Sequence, residues 1–67
     1  MKKETFYAIL SDGENDIKVL FYANSNTHAK SIKTKYAKKN NYIFMQGGKS
    51  YTLELIGENI NEYKFIN

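Results

Sequence analysis

The chain has 67 residues and a formal net charge of +3, and all ten of its positive side chains are lysine. That length allows one small α+β domain over residues 1–67, whose folding buries only about 60% of the surface the unfolded chain exposes. Cysteine is absent, which excludes disulfides, thiol chemistry and cysteine-ligated zinc, and no apolar run reaches the roughly 18 residues of a membrane-spanning helix.

The first segment, Thr5-Phe6-Tyr7-Ala8-Ile9-Leu10, is rich in strand formers, and Asp12-Gly13-Glu14-Asn15 supplies turn residues. Ile17-Lys18-Val19-Leu20-Phe21-Tyr22 returns as a second strand. Pairing Ser11 with Asp16 sets Leu10 opposite Ile17, Ala8 opposite Val19 and Phe6 opposite Phe21, so one face is wholly apolar. A one-residue slip would mix unlike faces, and the pattern therefore specifies this register.

Asn24-Ser25-Asn26-Thr27 holds several helix N-cap residues, and a helix is predicted to begin at Asn26 or Thr27. Ala29, Ile32 and Tyr36 form its apolar stripe, with Ala37 alongside, and Asn40-Asn41 provides the stop. The lysines Lys30, Lys33, Lys35, Lys38 and Lys39 take the remaining surface. Residues 24–41 hold these five lysines and no acid, whereas the rest of the chain holds five lysines and seven acids. The helix is thus a basic patch on a slightly acidic body.

Downstream, Tyr42 to Gln46 and Lys49 to Ile56 read as a second hairpin about a Gly47-Gly48 turn. A further turn at Gly57-Glu58-Asn59 leads to a last strand, Ile60 to Ile66, whose register opposes Glu54 to Glu62, an unfavourable like-charge pair. The expected fold is a two-layer sandwich ordered β-hairpin–helix–β-hairpin(–β). One helix packs on a mostly antiparallel four- or five-stranded sheet. Phe6, Ala8, Leu10, Ile17, Val19, Phe21, Phe44, Tyr51, Leu53, Leu55 and Phe65 form the covered face, beneath Ala29, Ile32 and Tyr36.

One helix shields one face, so the other is expected to be open. It would present Tyr7, Ile9, Leu20, Tyr22, Ile43, Met45 and Ile56. Such a surface fits contact with a protein partner or a second copy of the chain. The alternative reading places Lys30, Lys33, Lys35, Lys38 and Lys39 on a phosphate backbone. The lack of arginine argues against base-specific reading there.

Nothing in the sequence points to catalysis. His28 is the sole histidine and has no catalytic partner in sequence. Asp12, Glu14 and Asp16 alternate on a turn but lack the spacing of a calcium loop. Gly47-Gly48 is followed by no helix pattern, which is unlike a phosphate loop. No cofactor, metal, small-molecule ligand or membrane association is indicated.

The reading is therefore a small non-enzymatic binding protein. A cytoplasmic location fits, since small secreted domains usually carry disulfide or metal staples. The abundance of Lys, Asn, Ile, Tyr and Phe suggests an A+T-rich genome such as that of a low-GC bacterium or its phage. An accessory or inhibitory protein of a mobile element fits that size and composition.

Overall fold

The computed structural model describes residues 3–67. It is an α+β fold with a four-stranded sheet and one main helix packed against it. Strands β1 (Glu4–Ser11) and β2 (Asp16–Ala23) form the central hairpin. Its register is the one the apolar pattern predicts, with Ser11 opposite Asp16, Ala8 opposite Val19 and Phe6 opposite Phe21. At the turn, Gly13 takes φ +102°, and the Asp12 carboxylate accepts the Glu14 and Asn15 amides at 2.8 and 2.7 Å. These hydrogen bonds hold the Asp12 carboxyl below its ordinary range.

Helix α1 (Asn26–Asn40) follows. The Ser25 hydroxyl accepts the His28 amide at 3.1 Å and caps its start. Asn41, at φ 59°, ends it in the left-handed conformation, and the Tyr42 amide donates back to the Ala37 carbonyl at 2.8 Å. The face toward the sheet is built on small residues: Ala29 and Ala37 are buried, while Ile32 and Tyr36 are half-buried. These residues pack over Phe6, Ala8, Leu10, Val19, Phe21 and Ala23, where the Phe6 and Phe21 rings stack with centroids 6.0 Å apart.

Beyond α1 the structure departs from the sequence reading. Gly47-Gly48 is not a turn. Both glycines lie inside strand β3 (Ile43–Lys49), which runs antiparallel to β1 with Gly47 opposite Ala8 and Gly48 opposite Tyr7. Neither takes the positive φ that a tight hairpin turn of this type demands. Gly47 serves close approach instead: a Cβ there would lie 3.0 Å from the Phe44 ring and from the Tyr7 carbonyl oxygen. The register shifts between Ile9 and Leu10, which leaves Met45 as the extra residue of a bulge.

The predicted return strand over Lys49 to Ile56 is a turn followed by the short helix α2 (Thr52–Leu55). The Thr52 hydroxyl donates to the Lys49 carbonyl at 2.7 Å and starts that reversal. The predicted last strand is a 3-10 turn, Ile60–Glu62, and a two-residue strand β4 (Lys64–Phe65) that runs parallel to β2. The sheet order is β3-β1-β2-β4.

The expected open face is therefore covered at its centre. Leu53 and Tyr63 pack on Tyr7 and Leu20 to form a second cluster, with Ile9 at its margin. Tyr7 and Leu20 are each 3% exposed, so neither is available to a partner. Of the residues predicted under α1, Leu53 lies in this second cluster, while Tyr51 and Leu55 face solvent and Phe44 and Phe65 are exposed.

This arrangement predicts that Leu53→Ala lowers the unfolding free energy by about 2–4 kcal/mol. Its near neighbour Leu55, which is exposed, should cost within about 0.5 kcal/mol when changed to alanine. Urea denaturation of both variants checks this, and a larger loss at Leu55 would refute the observed cap.

Candidate functional site

The cap gathers Glu58 and Glu62 around Lys18. The Lys18 ammonium sits 3.0 Å from the Glu62 carboxylate and 3.3 Å from that of Glu58. The hydrogen bonds to Glu62 and then Glu58 push its pKa up to about 12. The Tyr63 hydroxyl donates to Glu58 at 3.0 Å. Burial, followed by that bond, raises the Tyr63 phenol to about 12. Glu58 is in turn held below its ordinary range, first by Tyr63 and then by Lys18. The Tyr63 ring meets Tyr7 edge-on at 6.1 Å, and Gln46 Nε2 donates to the Tyr7 hydroxyl at 3.0 Å. On the opposite side of the cap, the Asn67 amide exchanges two hydrogen bonds with the Tyr22 backbone, at 2.9 and 3.0 Å.

Lys49 is likewise engaged, 3.1 Å from Glu4. The five lysines of α1 are not: among the described residues none forms an ion pair. Lys30, Lys35, Lys38 and Lys39 are exposed, and Lys33 is half-buried with its ammonium 3.9 Å from the centre of the Phe44 ring. The lysines of α1 are thus free of ion pairs among the described residues, whereas Glu58 and Glu62 of the cap are held by Lys18.

The predicted contact residues do not form one surface. Tyr7 and Leu20 are core, and Ile9 is half-buried beside them. Tyr22 is exposed on β2 and stacks on Phe65 at 4.9 Å. Ile56 is exposed just after α2. Only Ile43 and Met45 fall together, on β3, where they are 64% and 60% exposed.

Strand β3 is the longer of the sheet's two edge strands, and most of it is exposed. It lies at the sheet's edge and pairs only with β1. Ile43 to Gly47 are all exposed. The Ser50 amide donates to the Thr5 carbonyl at 2.9 Å, which fixes the alternation of paired and unpaired positions along this antiparallel ladder. By that alternation Gly47 and Lys49 direct their backbone N–H and C=O groups away from β1, toward the free edge.

A groove of about 220 Å³ runs between this edge and α1. Phe6 and Phe21 contribute apolar wall, Gly47 and Gly48 leave room by having no side chains, and Asn26, Ala29, Lys30 and Lys33 line the helix side. The sequence reading missed this groove and the role of Phe44. Its available signal was the glycine pair itself, which marks close backbone approach as readily as a turn.

Comparison with protein-family models, with curated proteins and with solved structures gives no match. No helix among the described residues is long and apolar enough to cross a membrane.

The cap carries a pH prediction. Folding raises the Tyr63 phenol from 10.0 and the Lys18 ammonium from 10.5, each to about 12. The folded state thus keeps protons that the unfolded chain releases. This stabilisation is complete below pH 10 and is lost as pH rises through about 12. Ultraviolet titration of phenolate should show one tyrosine ionising at about 12, absent in Tyr63→Phe. A wild-type titration that matches that of Tyr63→Phe at about 12 would contradict the arrangement.

Proposed function

We propose that the protein is a non-enzymatic binder acting by contact with a partner protein, and that the contact surface is the outer edge of β3. The observation that supports this is the state of that edge. An unpaired strand is a ready template for a further strand, and proteins ordinarily protect such edges with charge, proline or cover. Here Ile43, Phe44 and Met45 are exposed side by side, the strand contains no proline, and its only charged residue is Lys49 at one end. The Met45 bulge shapes this edge without hiding it. A cytoplasmic setting, and an accessory or inhibitory role in a phage or other mobile element, fit a small binder that acts by covering a site on its partner.

Affinity capture from the native cell, run with the wild type and with Ile43→Lys and Met45→Glu variants, tests this reading. Both variants should lose the retained protein, while Leu55→Glu on the outer side of the cap should keep it. Retention unchanged by both β3 variants would refute the β3 surface.

A second reading rests on the five unpaired lysines of α1, which suit a phosphate backbone. On that reading duplex or single-stranded oligonucleotides bind at low salt. The logarithm of affinity should then fall with the logarithm of salt at a slope of about −0.7 to −0.9 per phosphate contacted. Absence of binding at low salt removes it.

A further inference from the structure

We propose that the partner segment received at β3 is an acidic extended strand. It adds antiparallel or parallel to the free edge and seats one apolar side chain in the groove beneath α1, between two acids that meet Lys30 and Lys33. The inference rests on the β3 reading above and names the chemistry of its partner.

Four observations converge on that occupant. Gly47 and Lys49 offer outward backbone groups for a strand ladder, as follows from the Ser50–Thr5 hydrogen bond. The groove lies beside those positions, with Phe6 and Phe21 as apolar wall. Its volume of about 220 Å³ suits one leucine- or phenylalanine-sized side chain, since a cavity of about 150 Å³ already takes benzene. On an added strand, alternate residues face the α1 side, so residues two positions either way from the seated side chain lie nearest the helix. The cations there are Lys30 and Lys33, neither of which is paired with a carboxylate. The one acid near this edge, Glu4, is engaged by Lys49.

A second copy of the chain fits this edge poorly. An antiparallel β3–β3 pair has its two-fold axis perpendicular to the sheet, so both α1 helices would lie on the same side of the joined sheet. Each carries five lysines and no acid, and like-charged surfaces so placed repel across a Debye length of about 10 Å.

The test is selection of random peptides of about twelve residues, long enough to span the roughly 23 Å of a seven-residue strand, on the immobilised full chain. The most enriched peptide is then titrated into isotope-labelled protein. Support requires sequences of the form acid–x–apolar–x–acid, amide shifts concentrated in β3 and the flank of α1 that faces it, and weakening as salt rises. The Lys30→Glu/Lys33→Glu double variant, with its fold verified by circular dichroism, should bind at least about tenfold more weakly. The salt series on the unaltered protein decides the matter if that variant does not fold.

Peptides that dock along β3 without preference for acids overturn this inference and leave the protein-contact reading standing. Peptides that bind but leave β3 unshifted, or doubling of the mass through β3, overturn it. So does an oligonucleotide that takes the groove in place of peptide. A library that yields no binder also overturns it, and capture with the β3 variants then decides the broader reading.

Discussion

The two central strands are apolar on both faces, and the rest of the fold follows from the need to cover them twice. Phe6, Tyr7 and Ala8 are buried in succession along β1, as are Val19, Leu20 and Phe21 along β2. Side chains alternate between faces along a strand, so such runs require a cover above and below. The single fifteen-residue helix supplies one. The second comes from the segment after β3, where Leu53 and Tyr63 descend on Tyr7 and Leu20. A segment folded across the sheet is not free to extend it. The second cover therefore leaves β3 with an unpaired outer edge and confines β4 to two residues beside β2.

The electrostatic layout follows from the same division of labour. Lys18 stands on the capped face, where it gathers Glu58 and Glu62 from the cap. Exposed ion pairs of this kind contribute little singly, but their placement decides which charges remain unpaired. Glu58 and Glu62 are turned toward Lys18 and Glu4 toward Lys49, and among the described residues no carboxylate pairs with a lysine of α1. Lys33 lies over the Phe44 ring instead, an arrangement that favours a cation through the ring's negative face. The helix that covers the core thus also holds five lysines free of ion pairs, and it does so next to the open strand.

The first half of the chain was legible because local signals and burial agree there. The strictly apolar face formed by Phe6, Ala8 and Leu10 with Ile17, Val19 and Phe21 admits one register, and that register is observed. Ser25 to Thr27 and Asn41 bracket the helix as capping residues do. The second half was misread where one residue pattern serves two geometries. Gly47-Gly48 satisfies a tight turn and also a strand pressed against the Phe44 ring and the Tyr7 carbonyl, and tertiary packing selects the second. Leu53 and Leu55, two apart, look like one face of a strand. In α2 they point differently, so Leu53 is buried and Leu55 is exposed. The opposition of Glu54 to Glu62 in the expected register was a true warning, since the observed fold does not pair those segments as strands. Two of the expected contact residues were misplaced for the same reason. Tyr7 and Leu20 were assigned to an open face that the fold-back covers, whereas Ile43 and Met45 sit on an edge whose exposure does not depend on that face.

An exposed apolar edge is a hazard as well as the binding surface proposed above, and the neighbouring charge bears on which it becomes. Edge strands invite indiscriminate pairing unless something opposes it. In this chain β3 has weak intrinsic guards: a bulge at Met45 and one lysine near its end. The stronger guard is the lysine helix beside it. Lysines on α1 repel a second copy, whose approach along β3 would bring its own helix to the same side, and the repulsion requires no contact between the helices. The same field lowers the cost of bringing an acidic chain to the edge. Specificity is a difference between partners, so a charge that disfavours self-pairing and favours an acidic strand acts twice on the same ratio. Placing the lysines on the helix rather than on β3 also keeps the strand's own side chains apolar. The edge can then bury Ile43, Phe44 and Met45 against a partner without desolvating an unpaired charge.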